Sequence, residues 1–368
     1  MSGLRITYSL ADQSFAKTKS IGIFNLSLGL LRELQSRPEV DRLDVLTNST
    51  LRNQILTASK TGTYDDDAAI AGRIGRMKWD QWDVYSAARR RRNEWLFLPK
   101  GFASFLRRPP VRLATYVHDT IHEFYRDQYP SVVSGFEDRY FARGLRATIR
   151  HSDVIFTNSE FTRDEVIRVA GKLGLNPPPV IHAGIGFVDE PVGAVADKSG
   201  IVVLAGRFPH KLTAQMIDWM DRWERRSRYA DPVHWIGALP AGVTFPNRSN
   251  WHLHSRLTEE DYRAKIAGAK VLLFASEYEG FGMPPVEAAL VGTVPVFSRI
   301  PATLEVMGES GVSFANDSHN SFTAALADAL KTSPEQVSAW KQELLSRHNW
   351  KSVADRIIDG LKATPLRQ

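Results

Sequence analysis

The amino-acid sequence predicts an α/β protein built from two Rossmann-like, doubly wound domains. Short apolar runs rich in β-branched residues alternate with longer helical patterns almost from end to end. Many of these runs are apolar on both faces, which is typical of parallel strands covered by helices on both sides of a sheet. The chain has 368 residues. That length favours two domains, because one domain usually takes roughly 150 residues.

The predicted strands fall into two groups, one in each half of the chain. Those in the first half are Arg5–Leu10, Leu43–Leu46, Arg112–Val117, Val154–Asn158 and Val180–Ala183. Those in the second half are Ile201–Ala205, Val233–Gly237, Trp251–His254, Val271–Ala275, Val294–Phe297 and Val312–Phe314. Helical patterns lie between them at Gly22–Gln35, Glu160–Ala170, Thr213–Arg226, Glu259–Ala269, Pro284–Leu290 and His319–Leu330. The polar, aperiodic stretch Thr61–Asp67 predicts a surface loop.

The boundary between the two domains is predicted within Ile185–Gly200, an aperiodic stretch rich in Gly, Pro, Asp and Ala. This divides the chain into an N-terminal domain at 1–185, a C-terminal domain at 186–348 and a last helical segment at 349–368. Ligands of open α/β sheets bind beyond the carboxyl ends of the strands. The turns that follow the strands are therefore where functional residues are expected.

Composition narrows the function classes only partly. The chain has no cysteine, which excludes disulfides, thiolate catalysis and cysteine zinc sites. Its formal net charge is +6, a moderate excess that suits a phosphorylated ligand, an anionic membrane surface or nucleic acid without choosing among them. The N-terminus lacks the pattern of a secretory signal, and no apolar stretch approaches the roughly 20 residues that span a bilayer. These features predict a cytoplasmic protein.

The most informative segment is Ser276–Gly292, which follows the predicted strand Val271–Ala275. Gly280 and Gly282 flank Phe281 in the turn, and two prolines suit the first turn of the helix that follows. Backbone N–H groups of Phe281, Gly282 and Met283 at such a helix N-terminus favour a phosphate. Glu279 and Glu287 add carboxylates that accept hydrogen bonds from pairs of hydroxyl groups. The segment therefore predicts a site for a ligand with a central phosphate and sugar hydroxyls at both ends.

Three further turns carry candidate residues. Arg207 and Lys211 follow the predicted strand Ile201–Ala205 and suit a diphosphate. His118 ends the strand at Arg112–Val117, where it is expected to line the active site, while the neighbouring Asp119 is interpreted as a helix cap. Gly22 follows the first strand and allows the backbone to approach a ligand closely.

Glu279 and Glu287, with seven residues between them, lie in Glu-Gly-Phe-Gly-Met-Pro-Pro-Val-Glu-Ala, which resembles the signature of the retaining glycosyltransferases of family 4. The resemblance implies a GT-B architecture, in which the two Rossmann-like domains face a central cleft. It also implies that Glu279 contacts the donor sugar, that Glu287 holds the ribose hydroxyls, and that the amides of Phe281–Met283 lie near the sugar and diphosphate.

The same resemblance assigns the other candidate residues. His118 corresponds to a family histidine beside the donor sugar. Asn349 and Trp350 open a helix that resembles the family's tail, which crosses back to the first domain. The remaining donor contacts implied by the resemblance are Arg207, Lys211, Arg256, Leu257 and Gly22. This sequence departs from the family where Leu212 replaces a frequent Asn and Ser20 a common glycine.

The predicted reaction is transfer of a mannose- or deoxyhexose-type sugar from a nucleotide-sugar, GDP-linked in preference to UDP-linked, to a glycan or lipid-linked saccharide acceptor. Retention follows from the resemblance alone. No cofactor and no metal are expected, because Arg207, Lys211 and the helix dipole supply positive charge in place of a cation. Two alternatives remain open: a nucleotide-sugar epimerase of the same fold, and a non-catalytic glycan- or nucleotide-binding protein. No nucleic-acid motif is present, so nucleic acid is not an expected partner.

Two other patterns have competing interpretations. Asp65, Asp66 and Asp67 formally match a metal-binding Asp-x-Asp, but they lie in a polar stretch and are interpreted as a solvated turn. A basic cluster comprises Arg89–Arg92, Arg107, Arg108 and Arg112, with Trp79, Trp82, Trp95 and Phe97 nearby. It is interpreted either as a solvated helix face or as a surface for anionic lipid at the inner face of the cytoplasmic membrane.

Overall fold

The structure is a computed structural model that describes residues 3–13, 21–52, 55, 61–70, 72–133, 135–189 and 197–365. The chain divides into two compact units. One unit comprises Met1–Phe187 together with His348–Gln368, and the other comprises Val188–Arg347. Each unit is a parallel sheet with helices, so the predicted fold class is confirmed.

The sheet of the first unit has seven parallel strands in the order β3-β2-β1-β4-β5-β6-β7. These strands are β1 (Leu4–Ser9), β2 (Val40–Thr47), β3 (Thr61–Asp65), β4 (Trp95–Leu98), β5 (Arg112–Val117), β6 (Val154–Thr157) and β7 (Val180–His182). The helices among them are α1 (Ile21–Ser36), α2 (Arg73–Lys78), α3 (Val84–Arg91), α4 (Ile121–Gln128), α5 (Gly135–His151) and α6 (Glu160–Lys172). The strand order reverses between β1 and β4, which makes that point of the sheet a topological switch.

The sheet of the second unit repeats this order with six parallel strands, β10-β9-β8-β11-β12-β13. They are β8 (Ile201–Leu204), β9 (Val233–Ile236), β10 (Trp251–His254), β11 (Val271–Phe274), β12 (Val294–Ser298) and β13 (Val312–Phe314). The helices of this unit are α7 (Thr213–Ser227), α8 (Glu259–Gly268), α9 (Met283–Leu290), α10 (Pro301–Met307), α11 (His319–Lys331) and α12 (Pro334–Arg347). The reversal of strand order falls here between β8 and β11.

Two strands of the first unit are absent from the sequence prediction. The stretch Thr61–Asp67 is not simply a surface loop, because Thr61–Asp65 forms the edge strand β3 and pairs with β2. Its residues are half-buried or exposed, so they carry no apolar alternation. The other missed strand is β4, at Trp95–Leu98, which is fully buried but only four residues long.

Each unit has its own apolar core. In the first unit the rings of Tyr8 on β1, Phe97 on β4 and Phe156 on β6 stack, with centroid separations of 5.3 and 6.0 Å. In the second unit the buried indoles of Trp235 on β9 and Trp251 on β10 lie 5.0 Å apart in the core cluster that includes residues of α7. Aromatic packing of this kind holds the strands of each unit together.

The last helix, α13 (Trp350–Ala363), packs on α1 within the first unit. Two glycines make room for the Trp350 side chain: a methyl group added at Gly29 or at Gly186 would overlap its indole. Asn349 caps the helix, its side chain accepting a hydrogen bond from the Ser352 N–H at 2.8 Å.

Gly29→Ala is expected to lower the free energy of unfolding by about 2–4 kcal/mol, because the rigid indole of Trp350 has to move away from α1 and takes α13 with it. Gly171→Ala is the matched control. Gly171 also lies in a helix, but an added methyl group there meets no atom within 4 Å. Alanine at that position should stabilise the protein by up to about 1 kcal/mol. Urea denaturation of both variants measures the difference, and equal midpoints would show that the α1–α13 contact is unimportant.

Candidate functional site

The turn after β8 is held in a fixed shape by Thr213, the first residue of α7. The Thr213 hydroxyl accepts a hydrogen bond from the Gly206 N–H and donates one to the Gly206 carbonyl, both at 2.8 Å. Between them, Pro209–Lys211 forms a short 3-10 turn. Leu212 adopts a left-handed conformation with φ of 52°. This clamp fixes the position of the basic residues that the sequence places in the turn.

The turn after β11 is fixed by residues at the carboxyl ends of β12 and β13. The Ser276 N–H donates to the Ser298 hydroxyl at 2.8 Å, and the Asn316 side chain donates to the Ser276 carbonyl at 2.9 Å. Gly282 precedes α9 with φ of +86°, and a Cβ there would lie 2.9 Å from the Thr303 methyl group. Only glycine meets both conditions, because φ in this region is strained for other residues.

An ion pair joins these two turns. The Lys211 Nζ lies 2.6 Å from a Glu279 carboxylate oxygen, although the two residues are 68 positions apart in the chain. The ammonium also lies 5.1 Å from the centre of the Phe274 ring. The structure thus brings together two predicted site residues at the carboxyl ends of β8 and β11, which flank the switch point of this sheet.

The other residues of the first turn divide into exposed and buried groups. Arg207 is exposed, and its guanidinium lies 4.8 Å from the centre of the Phe208 ring. His210 is buried, and its backbone carbonyl accepts from the Glu277 N–H at 2.7 Å. Burial, helped by the Lys211 charge, lowers the pKa of His210 to about 3. The turn therefore offers its positive charge through Arg207 and Lys211 and not through histidine.

Glu287 lies on α9, one turn beyond the glycines. Burial is the main cause that raises the pKa of Glu287 to about 7, with the Glu259 charge acting in the same direction and Arg263 opposing it. The pKa of Tyr262 on α8 is also raised. Burial is the main cause, and the charges of Glu287 and Glu259 add to it. The proximity of Tyr262 to Glu287 was not predicted, because neither the residue type nor its spacing in the sequence indicates it. A desolvated carboxylate at this position is a strong hydrogen-bond acceptor for a ligand's hydroxyl groups.

The remaining predicted residues of the second unit have different surroundings. Arg256 is exposed and Leu257 is half-buried, in the turn between β10 and the Thr258 cap of α8. The Phe281 side chain is buried, and Met283 begins α9. The structure thus places Phe281, Gly282 and Met283 at the N-terminus of α9, while no described contact joins Arg256 or Leu257 to the Lys211–Glu279 pair.

In the first unit, His118 lies directly after β5 and is buried. Its Nε2 lies 2.6 Å from the Pro99 carbonyl oxygen, so Nε2 carries the proton because a carbonyl only accepts. Burial lowers the pKa of His118 to about 4, which keeps the imidazole neutral at physiological pH. The N-cap of α4 is Thr120, so Asp119 lies one residue before the predicted cap position, and its carboxylate accepts from the Ile121 N–H at 3.0 Å. Asn158, after β6, donates to the His118 carbonyl at 2.8 Å.

Gly22 lies in the first turn of α1 and is half-buried. The preceding residues at 17–20, which the sequence analysis included in the same turn, lie outside the described residues. The structure therefore gives Gly22 a place in a helix and leaves its predicted contact with a donor as a prediction.

Two arginines of the basic cluster pack on aromatic rings. The Arg91 guanidinium lies 3.7 Å above the centre of the Tyr64 ring, and Arg112 lies 4.0 Å above that of Trp95 while pairing with Glu94. Trp79, Trp95 and Phe97 are buried, whereas Trp82 is 42% exposed. The three buried aromatic residues therefore belong to the core, and of the four aromatic side chains near the cluster Trp82 is the exposed one.

Two aspartates of the Asp-x-Asp match form contacts with other residues of the protein. Asp65 pairs with Arg52 at 2.9 Å, and Asp67 accepts from the Ser49 N–H at 2.7 Å. Within the described part of the chain, no group of three acidic or histidine side chains is arranged to hold a metal ion. The helices of that part also include none that is long and apolar enough to cross a membrane.

Comparison with known proteins finds similarity to glycosyltransferases. Residues 245–347 match the family model described as Glycosyl transferases group 1. Over its whole length the chain resembles the solved sucrose-phosphate synthase of Thermosynechococcus elongatus, with a TM-score of 0.68, 14% identity and coverage of 98% of both chains. Residues 245–347 thus match a glycosyltransferase family model, and the fold of the chain is similar to that of the solved synthase.

Its relatives among characterised proteins include mannosyltransferases. The chain is 22% identical to the O-antigen chain mannosyltransferase B of Escherichia coli over 93% of its own length and 96% of that protein. It is 45% identical over 60 residues to the MMP alpha-(1->4)-mannosyltransferase of Mycolicibacterium hassiacum. That stretch spans 16% of this chain and 15% of the relative.

Proposed function

We propose that this protein is a retaining hexosyltransferase that works without a metal ion. It transfers a mannose- or deoxyhexose-type sugar from a nucleotide-sugar, GDP-linked in preference to UDP-linked, to a glycan or lipid-linked saccharide in cell-surface polysaccharide synthesis. The observation that carries the proposal is the Lys211–Glu279 pair, which joins the two turns at the switch point of the second unit. The names of the mannosyltransferase relatives support the type of sugar.

The charges of the second unit match the needs of such a reaction. A departing nucleoside diphosphate gains negative charge, which Lys211, Arg207 and the N-terminus of α9 stabilise. Glu279 is held by Lys211 on one oxygen and retains acceptor capacity for hydroxyl groups of the transferred sugar. Glu287 supplies a second carboxylate, suited to the ribose hydroxyls. The positive groups stand where a divalent cation would otherwise be needed, which is the basis for proposing metal independence.

We also infer that the first unit binds the acceptor and contacts the membrane. The first unit holds His118 neutral at the carboxyl edge of its sheet, where it supplies a hydrogen-bonding group without adding charge. A lipid-linked acceptor would bring the protein to the inner face of the cytoplasmic membrane, and the exposed Trp82 and the arginines near it are the candidate contact.

A thermal-shift screen with GDP, UDP, ADP and dTDP tests the proposal. One nucleotide is expected to raise the melting temperature, and Glu287→Ala and Arg207→Ala should each abolish that rise. Leu253→Ala is the control, since Leu253 is an exposed side chain of β10 whose loss should leave the rise intact. If all four nucleotides leave the melting temperature unchanged, the chain is not a nucleotide-sugar transferase.

A further inference from the structure

A buried ion pair lies at the switch point of the first sheet, outside the residues discussed so far. Asp12 follows β1, Lys100 follows β4, and the two side chains are in contact. Strands β1 and β4 are adjacent and parallel, and the strand order reverses between them. This is the position at which open α/β sheets bind ligands.

The backbone on both sides of the pair is fixed. The Asn48 side chain donates to the carbonyls of Ala11 and Gln13, at 2.8 and 2.7 Å. On the other side Gly101 has φ of +83°, and a Cβ there would lie 2.6 Å from the Tyr116 carbonyl oxygen. Such support from neighbouring elements is typical of binding positions, because it holds side chains in place before a ligand arrives.

The Lys100 side chain retains access to solvent. It is 31% exposed, whereas Asp12 is 1% exposed. An ammonium group has three N–H donors, and contact with Asp12 uses one of them. The adjacent Asp12 carboxylate favours the charged form of the Lys100 ammonium. Lys100 is thus a donor with spare N–H groups, oriented by a buried carboxylate.

The charges of the described residues at this edge favour a neutral ligand. Asp12 cancels the charge of Lys100, and His118, which is bonded to the carbonyl of the neighbouring Pro99, is neutral. Among these described residues a phosphate would find no net positive charge, whereas a neutral hydroxyl accepts from the ammonium without needing one.

Gln13 points to the same chemistry by a separate observation. Its side chain is 1% exposed, and neither its amide oxygen nor its amide nitrogen has a hydrogen-bond partner among the described residues. A buried polar group without a partner is costly. A hydroxyl both donates and accepts, so it is the ligand group that suits an amide oxygen and an amide nitrogen together.

We propose that Lys100, positioned by Asp12, is a specificity-determining residue that binds hydroxyl groups of a neutral hexose unit of the acceptor. That the bound hexose belongs to an acceptor rests on the proposed function. Binding of a hexose at Lys100 depends only on residues of the first unit. Lys100 donates to the hexose oxygens, and Asp12 holds the ammonium in place.

The test measures binding of methyl hexosides to the full chain. Methyl α-mannoside, α-glucoside and α-galactoside, each up to 100 mM, and inorganic phosphate are titrated while ligand-detected NMR follows binding. At least one hexoside is expected to bind and phosphate is not. Asp12→Asn and Lys100→Met should each weaken hexoside binding at least tenfold. The double variant should do the same, and it removes both charges, so it leaves no unpaired buried ion that would prevent folding.

The control is Lys172→Met, which breaks a Lys172–Asp127 contact of 2.8 Å on the helices of the same unit and should leave binding unchanged. Hexoside binding that survives in the double variant overturns the proposal. So do phosphate binding that depends on Lys100 and an absence of hexoside binding by the unmodified protein. The nucleotide-induced thermal shift is recorded in parallel. Its absence together with Lys100-dependent hexoside binding would reject the transferase and keep this site.

Discussion

Glu279→Gln is expected to lower kcat by about 10²–10³ while nucleotide affinity changes less than about threefold. The amide keeps the size of the side chain and can still accept from a sugar hydroxyl, but it carries no charge and releases Lys211 from its 2.6 Å contact. Loss of one preorganised electrostatic group in an active site typically has an effect of this size. Initial rates with the nucleotide-sugar that matches the stabilising nucleotide give kcat and KM separately.

The ion pair between Glu279 and Lys211 leads to a second prediction. If Glu279 and Lys211 act as one unit, the double variant Glu279→Gln with Lys211→Met should be about as slow as the slower single variant, since coupled residues are not additive. Glu277→Gln is the matched control, a carboxylate two positions earlier in the same turn, and it should stay within about threefold of the unmodified protein. A kcat for Glu279→Gln within threefold of the unmodified protein would remove Glu279 from the reaction.

The sequence predicted the second unit better than the first, and burial explains the difference. Strand β11 at Val271–Phe274 is buried along its whole length, so its apolar run is visible without any partner. Strand β3 lies at the sheet edge, where solvent tolerates polar residues, and β4 is only four residues long beside a run of arginines. Edge and short strands are defined by their neighbours in the sheet, and a single sequence does not show those neighbours.

Contacts between site residues that are distant in the chain could not be predicted from the sequence either. Motif spacing predicted Glu279, Glu287 and Arg207 as site residues, because the residues of a turn lie close together in the chain. It could not predict that Lys211 binds Glu279, since that contact depends on the left-handed Leu212 and on Gly282, which set the two turns. The Asp12–Lys100 contact was missed for the same reason: neither residue belongs to a motif, and only the pairing of β1 with β4 brings them together.

Glu287→Gln is expected to stabilise the protein alone and to weaken its binding of nucleotide. The ordinary pKa of a glutamate, 4.5, is raised to about 7 here, mainly by burial. Between these values the folded protein binds more protons than the unfolded chain, so the stability present at low pH is lost as pH rises through about 7. Glutamine stays neutral, so at pH 8 it should raise the free energy of unfolding by about 1–2 kcal/mol. That is less than the roughly 3 kcal/mol of the full pKa shift, because Glu287 is only half-buried.

Function demands the opposite of stability at this position. The carboxylate that destabilises the free protein above pH 7 is the form proposed to accept from two ribose hydroxyls, so nucleotide affinity should rise from pH 6 to pH 8 and should fall at least tenfold in Glu287→Gln. Urea denaturation at pH 5 and pH 8, with and without the stabilising nucleotide, separates the two effects. Glu309→Gln, an exposed carboxylate of the same unit, is the control and should change neither. If Glu287→Gln is less stable than the unmodified protein at pH 8, or keeps its full nucleotide-induced stabilisation, then Glu287 is a structural residue of α9 and the ribose contact lies elsewhere.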